Sequence, residues 1–261
     1  MAIGIFDSGV GGLTVLKEIR KVLPGEKIYY LGDTARIPYG EKTKELIVAY
    51  SKQITKFLLG KNVDIIVVAC NTATSLALEE LEKTFEIPII GVIEAGVRTA
   101  LCTTKNNKIG VIGTKATINS KKYETEIRNR NDKIKVYSKA CPLFVPVIEE
   151  GMVKGEIVNQ LVKMYLSEFD GKIDSLILGC THYPLLRETI KNIYPDIEIV
   201  DPAKETAADL KKHLINGKLI KNDGEKGFET EYYVTDGQEK FRKVGTMFLN
   251  EKIGHVELVK L

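Results

Sequence analysis

Asp64-Ile-Ile-Val-Val-Ala-Cys70-Asn-Thr72 and Asp174-Ser-Leu-Ile-Leu-Gly-Cys180-Thr-His182 share one plan, 110 positions apart. In each, an aspartate opens a short apolar run and a cysteine followed by hydroxyl or amide side chains closes it. Runs this short are below the length of an ordinary helix, and the first is rich in β-branched residues, so each reads as a buried strand. The cysteine then stands at the carboxyl end of its strand, where open α/β sheets place ligands.

The flanking sequence repeats with the strands. Ile3-Gly4-Ile5 has a counterpart in Ile109-Gly110-Val111, and Ile87 in Ile197. A helical segment follows each cysteine, over 76–81 and 185–190, and a further strand follows the helix. Before Cys70 the chain alternates strand and helix: strands over 2–6 and 27–31, helices through Leu16–Leu23 spacing and through Leu46–Leu58 spacing. This alternation is the pattern of a mostly parallel sheet covered on both faces. The spacing points to a duplication at domain scale. Beyond Asp201-Pro202 a tail remains, with a helix over 205–214, a solvated lysine- and glycine-rich connection over 215–227, a strand over 231–235, a helix over 238–249 and a strand over 255–259. We place this tail on the first half, which gives a discontinuous first domain (1–97 plus 208–261) and a second domain (98–207).

Composition excludes several classes. The 261 residues carry 38 basic and 35 acidic side chains, a net charge of +3, too small to argue for nucleic acid or an anionic membrane. No apolar stretch approaches membrane-spanning length. The start, Met1-Ala-Ile-Gly-Ile-Phe-Asp7, lacks the basic flank and cleavage site of a secretory signal, so a cytoplasmic protein is expected. Four cysteines without a C-x-x-C pair need no disulfide there. Zinc could be imagined on Cys70, Cys180 and His182, but C-x-H is tighter than structural zinc spacing, and we expect no metal.

Gly9-Val-Gly11-Gly12-Leu-Thr14 follows a strand and opens a helix, yet it lacks the third glycine of a dinucleotide loop and the Gly-Lys-Ser/Thr of a phosphate loop. It is expected to expose backbone N–H groups that suit an anion such as a carboxylate. A helix N-terminus after a strand end should lower a thiol pKa from about 8.5. His182 could exchange a proton with Cys180, and Asp7 with Cys70 if the first and third strands are neighbours. Cys102 and Cys141 have no such company. Two thiols on one site suit inversion at a carbon, because one base alone returns the proton to the face it left.

At these residues the chain resembles the glutamate racemase family, within the cofactor-independent aspartate/glutamate racemases. The motifs are Ile5-Phe-Asp7-Ser8-Gly-Val-Gly-Gly, Pro38-Tyr39-Gly40, Ala69-Cys70-Asn71-Thr72-Ala-Thr and Gly179-Cys180-Thr181-His182-Tyr-Pro-Leu-Leu. The resemblance implies two similar flavodoxin-like or Rossmann-like α/β domains related by pseudo-symmetry, with the active site in the interdomain cleft. It implies that Cys70 acts on D-glutamate and Cys180 on L-glutamate, assisted by Asp7 and His182, with Glu150 a further catalytic candidate. Asp7, Ser8, Tyr39, Gly40, Asn71, Thr72, Thr181 and His182 would bind substrate, with Thr114 and Thr117 as additions. It further implies no cofactor, a homodimer, and D-glutamate destined for peptidoglycan. The thiols alone leave aspartate open as substrate, and a two-lobed amino-acid-binding protein is the alternative from outside enzymology.

Overall fold

The computed structural model describes residues 1–217 and 230–261. Strand and helix alternate as β1 (Ala2–Asp7), α1 (Leu13–Val22), β2 (Lys27–Gly32), α2 (Lys44–Leu59), β3 (Ile65–Val68), α3 (Asn71–Thr84), β4 (Ile89–Gly91) and α4 (Ile93–Thr103). The order restarts with β5 (Lys108–Gly113), α5 (Lys115–Asn119), α6 (Lys122–Arg130), β6 (Lys135–Ala140), α7 (Phe144–Glu149), α8 (Glu156–Leu166), β7 (Ser175–Gly179), α9 (Arg187–Ile193), β8 (Glu198–Val200) and α10 (Pro202–Asn216). The tail adds β9 (Thr230–Val234), α11 (Gln238–Leu249) and β10 (Val256–Leu258).

Two sheets result, ordered β10-β9-β2-β1-β3-β4 and β6-β5-β7-β8, with every described ladder parallel. The inner order β2-β1-β3-β4 recurs as β6-β5-β7-β8, so the repeat read from spacing is a repeat of topology. In such an order the chain leaves the central strand in opposite directions, and the crevice at that switch point opens at the carboxyl ends of β1 and β3, and of β5 and β7.

The repeated residues have local causes. All four residues of β3 are buried, each contributing roughly 1.5–3 kcal/mol of apolar burial. The aspartates that open the two motifs tie down the chain entering each sheet. Asp64 accepts the backbone N–H of Ala2 at 2.8 Å, and Asp174 accepts those of Lys105 and Asn106 at 2.7 and 2.8 Å. Gly4 and Gly110 occupy matching places under matching side chains. A Cβ on Gly4 would stand 3.3 Å from Val63, and one on Gly110 2.5 Å from Ile173. Glycine there lets the next turn lie close on the central strand.

Several boundaries differ from the sequence reading. α10 begins at Pro202 because Asp201 caps it, accepting the N–H of Ala203, and proline suits the first turn. β4 and β10, at opposite edges of the larger sheet, are three residues each. After Cys180 the chain makes a 3₁₀ turn over Tyr183–Leu186, with Pro184 in it, and α9 starts only at Arg187. The tail strands β9 and β10 extend the six-stranded sheet. The chain passes between the sheets through α4 and α10, which pack on each other, so positions 97/98 and 207/208 fall inside helices. Of the solvated connection expected over 215–227, residues 218–227 lie outside the described residues.

Candidate active site

A cavity of about 400 Å³ opens where the carboxyl ends of both sheets meet. β1 delivers Ser8 to it, the turn after β2 delivers Tyr39 and Gly40, and the end of β3 delivers Cys70, Asn71 and Thr72. From the second sheet, β5 supplies Thr114 and β7 leads into Cys180, Thr181 and His182. Glu150 also lines the cavity, while Asp7 and Thr117 stand in the wall behind it. Residues far apart in the chain are thus gathered at the two switch points.

The surroundings of the two thiols are unequal. Cys70 caps α3, its Sγ accepting the N–H of Ala73 at 3.5 Å, and it also donates toward Ser8 Oγ at 3.8 Å. Sγ of Cys180 lies 3.9 Å from Nδ1 of His182. Burial pushes the Cys70 thiol up to about 12, and the nearby Asp7 charge adds to it, against the smaller helix and hydroxyl contributions. Burial also raises Cys180, with Cys70 and Asp7 adding to the effect. The sequence reading expected helix N-termini to lower these values. Desolvation of the charged form outweighs the helix end at Cys70, and no α-helix begins at Cys180.

Asp7 is fully buried, and burial raises its pKa. β1 lies directly beside β3, as the proposed Asp7–Cys70 partnership required. The carboxylate nevertheless hydrogen-bonds elsewhere: it accepts the N–H of Gly9 at 2.9 Å and the hydroxyl of Thr181 at 3.4 Å. The glycine-rich loop therefore holds an anion of its own chain. The N–H groups of Leu13, Thr14 and Val15 are already given to the carbonyls of Val10, Gly11 and Gly12, so the free N–H cluster expected from sequence is not formed. Gly11 serves a close approach instead. A Cβ there would stand 2.3 Å from Thr181 Oγ1 and 2.4 Å from His182 Nδ1.

Three threonines join the two halves beside the cavity. Thr72 Oγ1 lies 2.9 Å from Thr114 Oγ1 and 3.1 Å from Thr117 Oγ1, and the last two are 3.0 Å apart. Asn71 Oδ1 accepts from the Tyr123 hydroxyl at 2.6 Å, which fixes the amide. Tyr39 is held by its hydroxyl on buried Asp33, which Arg36 also grips with two contacts.

Glu150, the candidate read from sequence, lines the cavity together with its neighbour Glu149, and it is Glu149 that contacts His182. Glu149 Oε1 lies 3.3 Å from His182 Nε2, and its Oε2 is 3.0 Å from Lys240 Nζ. Burial alone would raise the Glu149 pKa, but the bonds and charges of His182 and Lys240 outweigh it and hold the carboxyl at about 2. Glu150 is exposed and has no described side-chain hydrogen bond. Helical phase was the available signal: Phe144 and Ile148 are the buried face of α7, and the face beside it carries Val145 and Glu149 four residues apart. Cys141 also lines the cavity, away from either matched strand end. Among the described residues no group of three or more His, Cys, Asp or Glu side chains is placed to hold a metal ion.

Doubled α/β topology with one thiol at each switch point defines the class, an amino-acid racemase, and the sequence model of the Asp/Glu/Hydantoin racemase family matches residues 3–210. The glutamate racemase of Aquifex aeolicus is 49% identical over 97% of this chain and 96% of its own, and that of Persephonella marina 50% over 100% and 98%. The crystal structure of glutamate racemase from Francisella tularensis in complex with D-glutamate superposes with a TM-score of 0.92 at 45% identity, covering 99% of this chain and 97% of that one. The chain belongs to the glutamate racemases of this family.

Proposed function

We propose that the chain interconverts L- and D-glutamate by moving the Cα proton between two thiols, without a cofactor. The reading rests on one observation above the others: Cys70 and Cys180 stand at equivalent strand ends of a repeated topology and line one cavity. The Francisella tularensis relative, similar along its length, was crystallised with D-glutamate, which supports glutamate over aspartate.

Starting from L-glutamate, the Cys180 thiolate takes the Cα proton. A new S–H bond forms, and the C–H electron pair passes into the α-carboxylate of a planar intermediate. Cys70 then gives its thiol proton to the opposite face of Cα and becomes the thiolate. The reverse sequence starts from D-glutamate. Burial raises the pKa of both thiols, so substrate must help create the thiolate. The ammonium group of the amino acid, entering a poorly solvated site, favours the ionised sulfur. His182 is the proton partner for Cys180. Asp7, buried with a raised pKa, sets the charge balance beside Cys70.

The carbanion needs strong stabilisation, and fixed donors aimed at the α-carboxylate supply it. We assign substrate binding to Asp7, Ser8, Tyr39, Gly40, Asn71, Thr72, Thr114, Thr117, Thr181 and His182, and keep Glu150, which lines the cavity, as a further catalytic candidate. Closure of two bodies, 1–97 plus 208–261 against 98–207, would exclude water and strengthen those donors. Solution scattering with and without glutamate tests it, and identical profiles would remove closure. We also propose a cytoplasmic homodimer that supplies D-glutamate for peptidoglycan. Exposed Ile157 and Met164 on α8 support self-association, which light scattering measures. Among the described residues no helix is long and apolar enough to cross a membrane.

The test of the activity is polarimetry on metal- and pyridoxal-free protein. L-glutamate should lose its rotation entirely, and L-aspartate should turn over far more slowly. Bound but unchanged glutamate would instead favour an amino-acid-binding protein.

A further inference from the structure

α11 carries Lys240, Val244 and Phe248 at successive intervals of four, one stripe along its surface. Two members of that stripe hold the Glu149–His182 pair from either end. Lys240 Nζ is 3.0 Å from Glu149 Oε2, and the Phe248 ring meets the His182 ring edge-on, with centroids 5.3 Å apart and planes at 87°. α11 lies between β9 and β10 of the six-stranded sheet, whereas Glu149 and His182 come from α7 and the turn after β7 on the four-stranded side. The pair is therefore positioned by the opposite half of the fold.

We propose that Lys240 is a positioning residue for proton transfer on the Cys180 side. This rests on the two-thiol reading above. Carboxylate and histidine form a chain of contacts: Lys240 Nζ to Glu149 Oε2, Glu149 Oε1 to His182 Nε2, and His182 Nδ1 to Cys180 Sγ at 3.9 Å. With Lys240 holding one carboxylate oxygen, the other faces Nε2 and accepts a hydrogen bond from it. The imidazole proton then resides on Nε2, and Nδ1 is the acceptor presented to the thiol. A carboxylate that orients a histidine in this way sets both ring tautomer and ring orientation. Among the described residues the titratable groups facing the ring are Glu149 at Nε2, Cys180 at Nδ1 and buried Asp7, whose charge reaches His182. Glu149 itself faces only His182 and Lys240 among its described ion-pair partners. Lys240 is 61% exposed, while Glu149 is 16% and His182 6% exposed. An exposed lysine thus reaches in to fix a nearly buried pair, and among the described residues no counterpart of this arrangement stands beside Cys70.

The test compares Lys240→Met, which keeps an apolar stem without the charge, with Lys240→Arg. Both are assayed with L- and D-glutamate, protiated and deuterated at Cα. Removing an orienting partner typically costs about 10–100-fold, so K240M should lose about tenfold in kcat and K240R should restore most of it. The primary isotope effect should rise for L-glutamate, because proton removal by Cys180 becomes more rate-limiting, and fall for D-glutamate. Wild-type kcat with unchanged isotope effects in K240M would overturn the proposal, as would equal shifts from both enantiomers. If instead Cys180→Ser kept wild-type racemisation of both enantiomers, the two-thiol reading itself would fail.

Discussion

Nδ1 of His182 lies 3.9 Å from Sγ of Cys180. At the position equivalent to His182 in the first half of the repeat stands Thr72, which turns away to hydrogen-bond Thr114 and Thr117. The two thiols occupy matching strand ends, yet only one has an imidazole within reach. Cys70 has Ser8 and the charge of buried Asp7 in its place. The fold is doubled and the proton-handling groups are not, so forward and reverse reactions should differ in which step limits them.

Thiol reactivity follows from burial. With Cys70 raised to about 12 and Cys180 also raised, little thiolate exists in the free enzyme at pH 8. Cys102 is exposed. Iodoacetamide at pH 8 should label Cys102 first, read by peptide mass spectrometry, with the cavity thiols lagging far behind. Labelling of Cys70 at the rate of Cys102 would contradict a protonated resting state.

Gly11 permits the approach of the first half to His182. Gly11→Ala puts a methyl 2.4 Å from Nδ1 and 2.3 Å from Thr181 Oγ1, so the turn after β7 must move. Overpacking of this kind costs about 1–3 kcal/mol of stability, and displacement of a catalytic group by about 1 Å can cost 10²-fold in rate. Thermal denaturation and kcat together should show a modest stability loss and a large activity loss. Wild-type kcat would show that the contact has no bearing on the chemistry.

Three cysteines line the cavity, and only two stand at the matched strand ends. Cys141→Ala should keep kcat within a few-fold while losing some stability, because its buried thiol fills space. Cys70→Ser and Cys180→Ser should each remove racemisation. Abolition of activity in C141A, with the variant folded by circular dichroism, would show that matched position is the wrong criterion.

The fold was legible because the repeat is written in residues with separate local duties. Asp64 and Asp174 anchor chain entry, Gly4 and Gly110 admit a close neighbour, and the apolar runs are buried strands. The cysteines were legible for the same reason. Less of the surroundings could be read. Nothing in the sequence places α11 against α7, so Lys240 and the choice of Glu149 over Glu150 depended on tertiary packing. The glycine loop was misread because its motif reports a tight turn without saying whose anion it holds, and the answer is Asp7. The pKa of the thiols was misjudged since a helix end is visible in sequence and depth of burial is not.

The central claim, one thiol on each face of Cα, is tested most directly by isotope content at low conversion in D₂O. Thiol protons exchange with solvent, so each enantiomer should give product carrying deuterium at Cα while recovered substrate keeps protium. Deuterium appearing equally in substrate and product, or product retaining the original Cα proton, would mean that a single base serves both faces.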